Sequence, residues 1–170
     1  MAKKQYRIAD INRLDRDAFM AVFESVFEDS AWAAELVYEH LPFASVDSFT
    51  DRFCQCVSEA DDQAKLQLLC AHPELGSNRK MADASVKEQT GAGIRDTKQD
   101  HRSLIQELNA LYRQQFDFPF IIAVKGLTPA LIVEQMQQRL LNDRDTEFDE
   151  CLKQVFKIVR IRLDDILAKE

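Results

Sequence analysis

Glycine and proline are scarce, four of each in 170 residues, so the chain has few places to break. Long helices with short connections are the natural consequence. Basic charge is also in short supply. Twenty-two Lys and Arg against 29 Asp and Glu leave a formal charge of −7. That balance argues against nucleic acid, whose phosphates need a concentrated basic surface. Apolar residues make up 46% of the chain, yet no uninterrupted run approaches the about 20 residues of a membrane span. No signal peptide opens the sequence, and Ala168-Lys169-Glu170 is not a peroxisomal or other C-terminal address. A soluble cytoplasmic protein that binds neither membrane nor nucleic acid is expected. Cysteine is limited to Cys54, Cys56, Cys70 and Cys151, and no histidine or second pair completes a zinc pattern around Cys54-Gln55-Cys56. All four fall in apolar-periodic segments, so buried reduced thiols are expected.

What is present is helical periodicity. Asp15 caps a helix with Phe19, Val22, Phe23, Val26 and Phe27 on one face, which Asp29-Ser30 interrupts. A short helix with Trp32, Leu36 and Val37 ends before Pro42, and Ser45 caps another carrying Val46, Phe49, Phe53, Cys56 and Val57. Asp61-Asp62 suit the N-terminus of the helix that leads to His72, where the macrodipole favours negative charge. Ser77 or Asn78 then starts a weakly apolar helix through about Gln89, ended by Gly91-Ala92-Gly93. A helix with Leu104, Ile105, Leu108, Leu111, Tyr112 and Phe116 follows a polar stretch. Thr128-Pro129 starts the next, with Leu131, Ile132, Val133, Met136 and Leu140, and the last begins near Asp145-Thr146 and reaches about Leu167. The apolar run between Phe116 and Val124 contains Pro119, which forbids a regular helix. The chain reads as one all-α domain over 1–170, with about eight helices and one irregular extended apolar segment at about 117–125.

Three features invite chemistry. In the last helix, Phe148, Cys151, Leu152, Val155, Phe156, Ile158, Val159, Leu163 and Ile166 form one apolar arc, and Arg162 lies inside it. An inward guanidinium needs an anion, either a buried carboxylate or a bound substrate. Ser85, Glu88 and Gln89 share one helix face, which is either a cleft wall or a solvated surface. His72 stands where an apolar helix stops, with Pro73 biasing it toward extended backbone. Together they make a candidate acid/base set of His72, Glu88 and Arg162, without naming a reaction. His40 and His101 lack comparable company.

A resemblance makes the set specific. Ala71-His72-Pro73-Glu74-Leu75-Gly76, Ser85-Val86-Lys87-Glu88-Gln89 with Ala92-Gly93, Leu108-Asn109 and Tyr112 running into Phe118-Pro119-Phe120-Ile121-Ile122, and Arg160-Ile161-Arg162-Leu163 resemble, in order, the signature of OHCU decarboxylases. These enzymes act on 2-oxo-4-hydroxy-4-carboxy-5-ureidoimidazoline in urate degradation. Phe27-Glu28-Asp29-Ser30-Ala31-Trp32 and Leu41-Pro42-Phe43 resemble the family's N-terminal segment. The resemblance implies an all-α fold, usually a homodimer, working without metal or organic cofactor. It implies that His72 is the catalytic histidine, Glu88 its partner carboxylate and Arg162 a substrate-contacting arginine. Pro73, Ser85, Gln89 and the backbone of Phe120, Ile121, Ile122, Ala123 and Val124 match substrate-binding positions. Asp117 stands where the family commonly has glycine, and Ile94-Arg95 replaces a leucine-led sequence.

The implied chemistry is self-contained. The substrate carries its carboxylate on a ring carbon conjugated to an imine, so the electrons released with CO2 have an acceptor within the substrate. The expected product is (S)-allantoin. Two other readings remain at this stage: a non-catalytic helical interaction domain in which Arg162 closes a buried ion pair, and a related lyase acting on another ureido compound.

Overall fold

A computed structural model describes residues 5–77, 82–94 and 99–168, with only the backbone described for 99 and 100. Among the described residues there are nine α-helices and no β-strand. The expected all-α class is therefore observed. The chain divides into two compact units, one of residues 1–71 and 156–170, the other of residues 72–155. The first cut falls between Ala71 and His72, so the apolar helix ends in one unit and the histidine turn opens the other.

The first unit is built on phenylalanine. It holds α1 (Ile8–Ile11), α2 (Arg16–Phe23), α3 (Ala31–Tyr38), α4 (Val46–Ser58), α5 (Asp62–Ala71) and the C-terminal part of α9 (Arg144–Ile166). Asp15 accepts the Ala18 amide at 2.8 Å and caps α2. Ser45 and Ser48 form a reciprocal capping box at α4. Phe19, Phe23, Phe27, Phe49 and Phe53 are fully buried, and Phe49 meets Phe23 and Phe53 edge-on, each at 5.2 Å. Such edge contacts add about 0.5–1.5 kcal/mol each beyond area burial. The helix expected to carry Val26 and Phe27 instead tightens after Phe23 into a 3-10 turn, Glu24–Phe27. The turn ends at Glu28, whose φ of 55° stops the helix while both apolar side chains stay buried.

The second unit holds α6 (Asp83–Gly91), α7 (Gln99–Phe116), α8 (Pro129–Arg139) and α9 as far as Val155. α6 starts later than expected: Ser77 lies outside any helix, and Ala82 is the extended N-cap, with Asp83 supplying the acidic first turn. Asn78 lies outside the described residues. The end is as expected. Gly93, at φ 71°, lets its own amide reach the Thr90 carbonyl and the Ile94 amide reach that of Gln89, a Schellman closure. Thr128 accepts the Leu131 amide, with Pro129 in the first turn of α8. Ile105, Leu108, Tyr112 and Phe116 form the buried stripe of α7, whereas Leu111 is 53% exposed.

The irregular segment follows Phe116. Residues 119–124 are neither helix nor strand, and Phe118, Phe120, Ile121, Ile122 and Val124 are buried. Its first residue, Asp117, has φ 67°. The chain thus leaves α7 through left-handed backbone, the conformation that favours the glycine which the resemblance implies here. Aspartate is one of the few other residues that tolerate it.

Candidate active site

His72 opens the second unit, is 5% exposed, and lies on a turn with few degrees of freedom. The Ser77 amide bonds the Glu74 carbonyl at 3.2 Å, closing the turn through Gly76 at φ 70°. A side chain there would be strained, and a Cβ would stand 3.7 Å from Ile94. Three side chains fasten the turn from outside. Gln89 on α6 accepts the Gly76 amide at 3.0 Å, Asn109 on α7 donates to the Leu75 carbonyl at 3.0 Å, and Arg113 one turn later meets Glu74 at 3.3 Å. Asn109 was legible in the sequence, since it shares the stripe of Ile105, Leu108 and Tyr112.

The polar face of α6 is not a solvated surface. Ser85 and Gln89 are 5% and 4% exposed and Glu88 is half-buried, which favours the cleft-wall reading. Gln89, expected to bind substrate, holds the turn through its carbonyl oxygen, so its position serves His72 as well. Pro73 is half-buried beside His72. His40 is occupied elsewhere, with Nδ1 2.8 Å from the Leu36 carbonyl oxygen.

The backbone of residues 120–124 is less free than expected. The Ala123 amide donates to Gln154 Oε1 at 3.1 Å, and the Ile121 carbonyl accepts from Arg139 Nη1 at 2.7 Å. Among the described residues no hydrogen bond uses the Ile122 or Val124 amide. Behind the segment lies a buried polar cluster absent from the sequence expectations. Glu147, fully buried, accepts from Arg139 Nε at 2.8 Å, from Asn142 at 2.7 Å and from the Tyr112 hydroxyl. Burial lowers the guanidinium's proton affinity, but the hydrogen bond and charge of Glu147 more than reverse that and hold Arg139 above its ordinary value. Burial pushes the Cys151 thiol up to about 11 despite the Arg139 charge, so it stays a thiol. Burial, with Cys151 and Glu147 adjoining, drives the Tyr112 hydroxyl far above its usual value.

Arg162 is placed in the first unit and is 5% exposed, as its position in the apolar arc implies. Its Nη2 meets Glu28 Oε1 at 2.8 Å and its Nη1 donates to the Val26 carbonyl at 3.0 Å. The buried carboxylate partner left open by the sequence is thus present. Arg160, on the other side of α9, pairs with the exposed Asp51 at 2.8 Å. None of the four cysteines is in a disulfide, and Cys70 is half-buried where burial was expected. Arg95 lies outside the described residues.

A buried histidine on a turn fastened to a helix that carries a hydroxyl, a carboxylate and an amide on one face offers the kinds of group that an acid/base site uses. The family model described as OHCU decarboxylase matches residues 12–164, and the chain belongs to that family. It is 37% identical over 163 residues to the 2-oxo-4-hydroxy-4-carboxy-5-ureidoimidazoline decarboxylase of Haloferax volcanii, covering 96% of this chain and 97% of that one. It is 35% identical to a uric acid degradation bifunctional protein of Bacillus subtilis, covering 97% of this chain but only 33% of that protein. A solved OHCU decarboxylase, crystallised in the presence of (S)-allantoin, shares the fold with a TM-score of 0.73 at 20% identity, over 86% of this chain and 97% of that one.

Proposed function

We propose that this chain is a cofactor-independent carboxy-lyase of urate degradation, converting 2-oxo-4-hydroxy-4-carboxy-5-ureidoimidazoline to (S)-allantoin. The observation that carries the reading is the family match across residues 12–164, which crosses both units and supports their working as one domain over 1–170. In the reaction the C–C bond to the carboxylate breaks, CO2 leaves, and its electron pair enters the ring imine. A proton delivered to one face of the ring then fixes the product's hand. His72 is the acid/base, exchanging a proton with the substrate hydroxyl or the developing carbanion, and Glu88 sets its protonation state. Ser85, Pro73 and Gln89 line the substrate. The Ile122 and Val124 amides, with the neighbouring backbone of Phe120, Ile121 and Ala123, grip the ureido and ring amide groups. Arg162 orients the anion. Its existing pairing with Glu28 favours a role toward the ring oxygens, where charge accumulates, because a strong grip on the departing carboxylate would stabilise the ground state.

The test generates the intermediate from urate with upstream enzymes, adds this protein and follows circular dichroism. Accelerated loss of the intermediate with (S)-allantoin as product is expected; unchanged decay to racemic allantoin overturns the reading.

A second copy of the chain is the proposed partner. Leu111, Leu131 and Leu141 of the second unit are 53%, 46% and 87% exposed, which supports an apolar contact. A sedimentation mass near twice 19.6 kDa is expected, and the mass of one chain would dismiss the dimer. Cytoplasmic residence is supported by four cysteines that form no disulfide, which suit a reducing compartment. Among the described residues no helix is long and apolar enough to cross a membrane. Recovery of the protein outside the cytoplasmic fraction would count against that placement.

A further inference from the structure

We infer that Arg139 and Glu147 form a clamp that fixes the backbone of residues 120–124 for substrate, with Arg139 a positioning residue acting through the Ile121 carbonyl. The inference rests on the proposed function, which gives that segment the grip on the ureidoimidazoline.

The clamp is made of directional groups. Glu147 Oε1 takes both donors of one edge of the guanidinium, Nε at 2.8 Å and Nη2 at 2.6 Å. A guanidinium is a planar fork with fixed donor directions, so holding that edge determines where Nη1 points. It points at the Ile121 carbonyl, 2.7 Å away, while the guanidinium carbon lies 4.4 Å from the centre of the Phe120 ring. Asn142 and Tyr112 hold the carboxylate in turn. Two residues beyond Ile121, the Ala123 amide is held by Gln154 of α9. Tying the Ile121 carbonyl to α8 and the Ala123 amide to α9 fixes the chain on both sides of the Ile122 amide, which no described hydrogen bond uses.

Stability does not require this arrangement. A buried ion pair is commonly no better than apolar side chains of similar volume, because desolvation offsets the attraction. What the charges add here is direction, delivered to one carbonyl of the segment proposed to bind substrate.

The test is the double variant Arg139→Met, Glu147→Leu, which keeps the volume apolar and leaves Cys151 beside the Tyr112 hydroxyl. Two readouts are needed: hydrogen exchange of residues 118–124 by mass spectrometry, and kcat and KM for the ureidoimidazoline. The variant is expected to melt within about 5 °C of wild type. Exchange over 121–124 should rise about tenfold or more, and kcat/KM should fall about tenfold or more, mostly through KM. A merely structural role would leave kcat/KM of the folded protein unchanged. Should the double variant not fold, Arg139→Lys carries the same readouts, since an ammonium facing Glu147 cannot also span to the Ile121 carbonyl and cover Phe120. Unchanged exchange, or kcat/KM within about twofold of wild type, overturns the inference. If the wild-type protein itself does not act on the ureidoimidazoline, the proposed function falls instead, and exchange alone decides the clamp.

Discussion

Replacing His72 with alanine is expected to lower kcat for the ureidoimidazoline by about 100- to 10,000-fold, the span that a positioned acid/base contributes. The fold should survive the change. The turn is held by Gly76 on Gln89, Leu75 on Asn109 and Glu74 on Arg113, none of which uses the imidazole. The far-ultraviolet spectrum should therefore match wild type while turnover falls, and the allantoin that forms should be racemic if His72 is the group that delivers the proton to one face. Glu88→Gln provides the graded comparison. On the proposed role, the half-buried Glu88 carboxylate acts through His72, so its loss should reduce kcat by less than loss of the imidazole. A His72→Ala protein that keeps more than about a tenth of wild-type kcat, or still yields (S)-allantoin, removes His72 from the chemistry.

The buried charges that sequence made visible are those in phase with an apolar stripe. Arg162 stood out because it sits one turn from Ile158 and from Ile166, and it is buried. Glu147 lies on the same line, one turn before Cys151, and Arg139 continues the row of Ile132 and Met136 on α8. The phase argument that found Arg162 therefore also reaches Glu147 and Arg139, and reading both helices for inward charge would have exposed the pair. Other features were out of reach for physical reasons. The change from α to 3-10 geometry after Phe23 depends on where Glu28 must turn, which is a tertiary demand and not a local preference. Gln89 is a polar residue on a polar face; its burial follows from the Gly76 turn lying against α6, a contact between residues 13 apart. Asp117 is the intermediate case. The resemblance marked it as an aspartate at a glycine position, and the left-handed backbone supplies the reason.

Arg162 should respond to mutation in two separable ways. Its guanidinium and the Glu28 carboxylate are 5% and 3% exposed as side chains and lie 2.8 Å apart, so deleting either charge breaks a buried ion pair. Glu28→Gln is expected to cost about 3–5 kcal/mol, read as a lowered denaturant midpoint with unchanged slope. The residue replaced also occupies backbone unusual for a side chain, φ 55° and ψ −124°. Such geometry costs about 1–3 kcal/mol, and a surrounding structure keeps it only where it is over-determined. Arg162→Lys keeps the charge but loses the fork that reaches Glu28 and the Val26 carbonyl together, so the loss of stability should be smaller. The kinetic signature then separates two roles. On the proposed role, a guanidinium already paired with Glu28 is a weak trap for the departing carboxylate and acts instead as a donor toward ring oxygens that gain charge as CO2 leaves. Arg162→Lys should accordingly depress kcat by about 100-fold with little change in KM. A rise in KM at constant kcat would show instead that Arg162 binds ground state and transition state alike, and its assignment to transition-state stabilisation would be withdrawn.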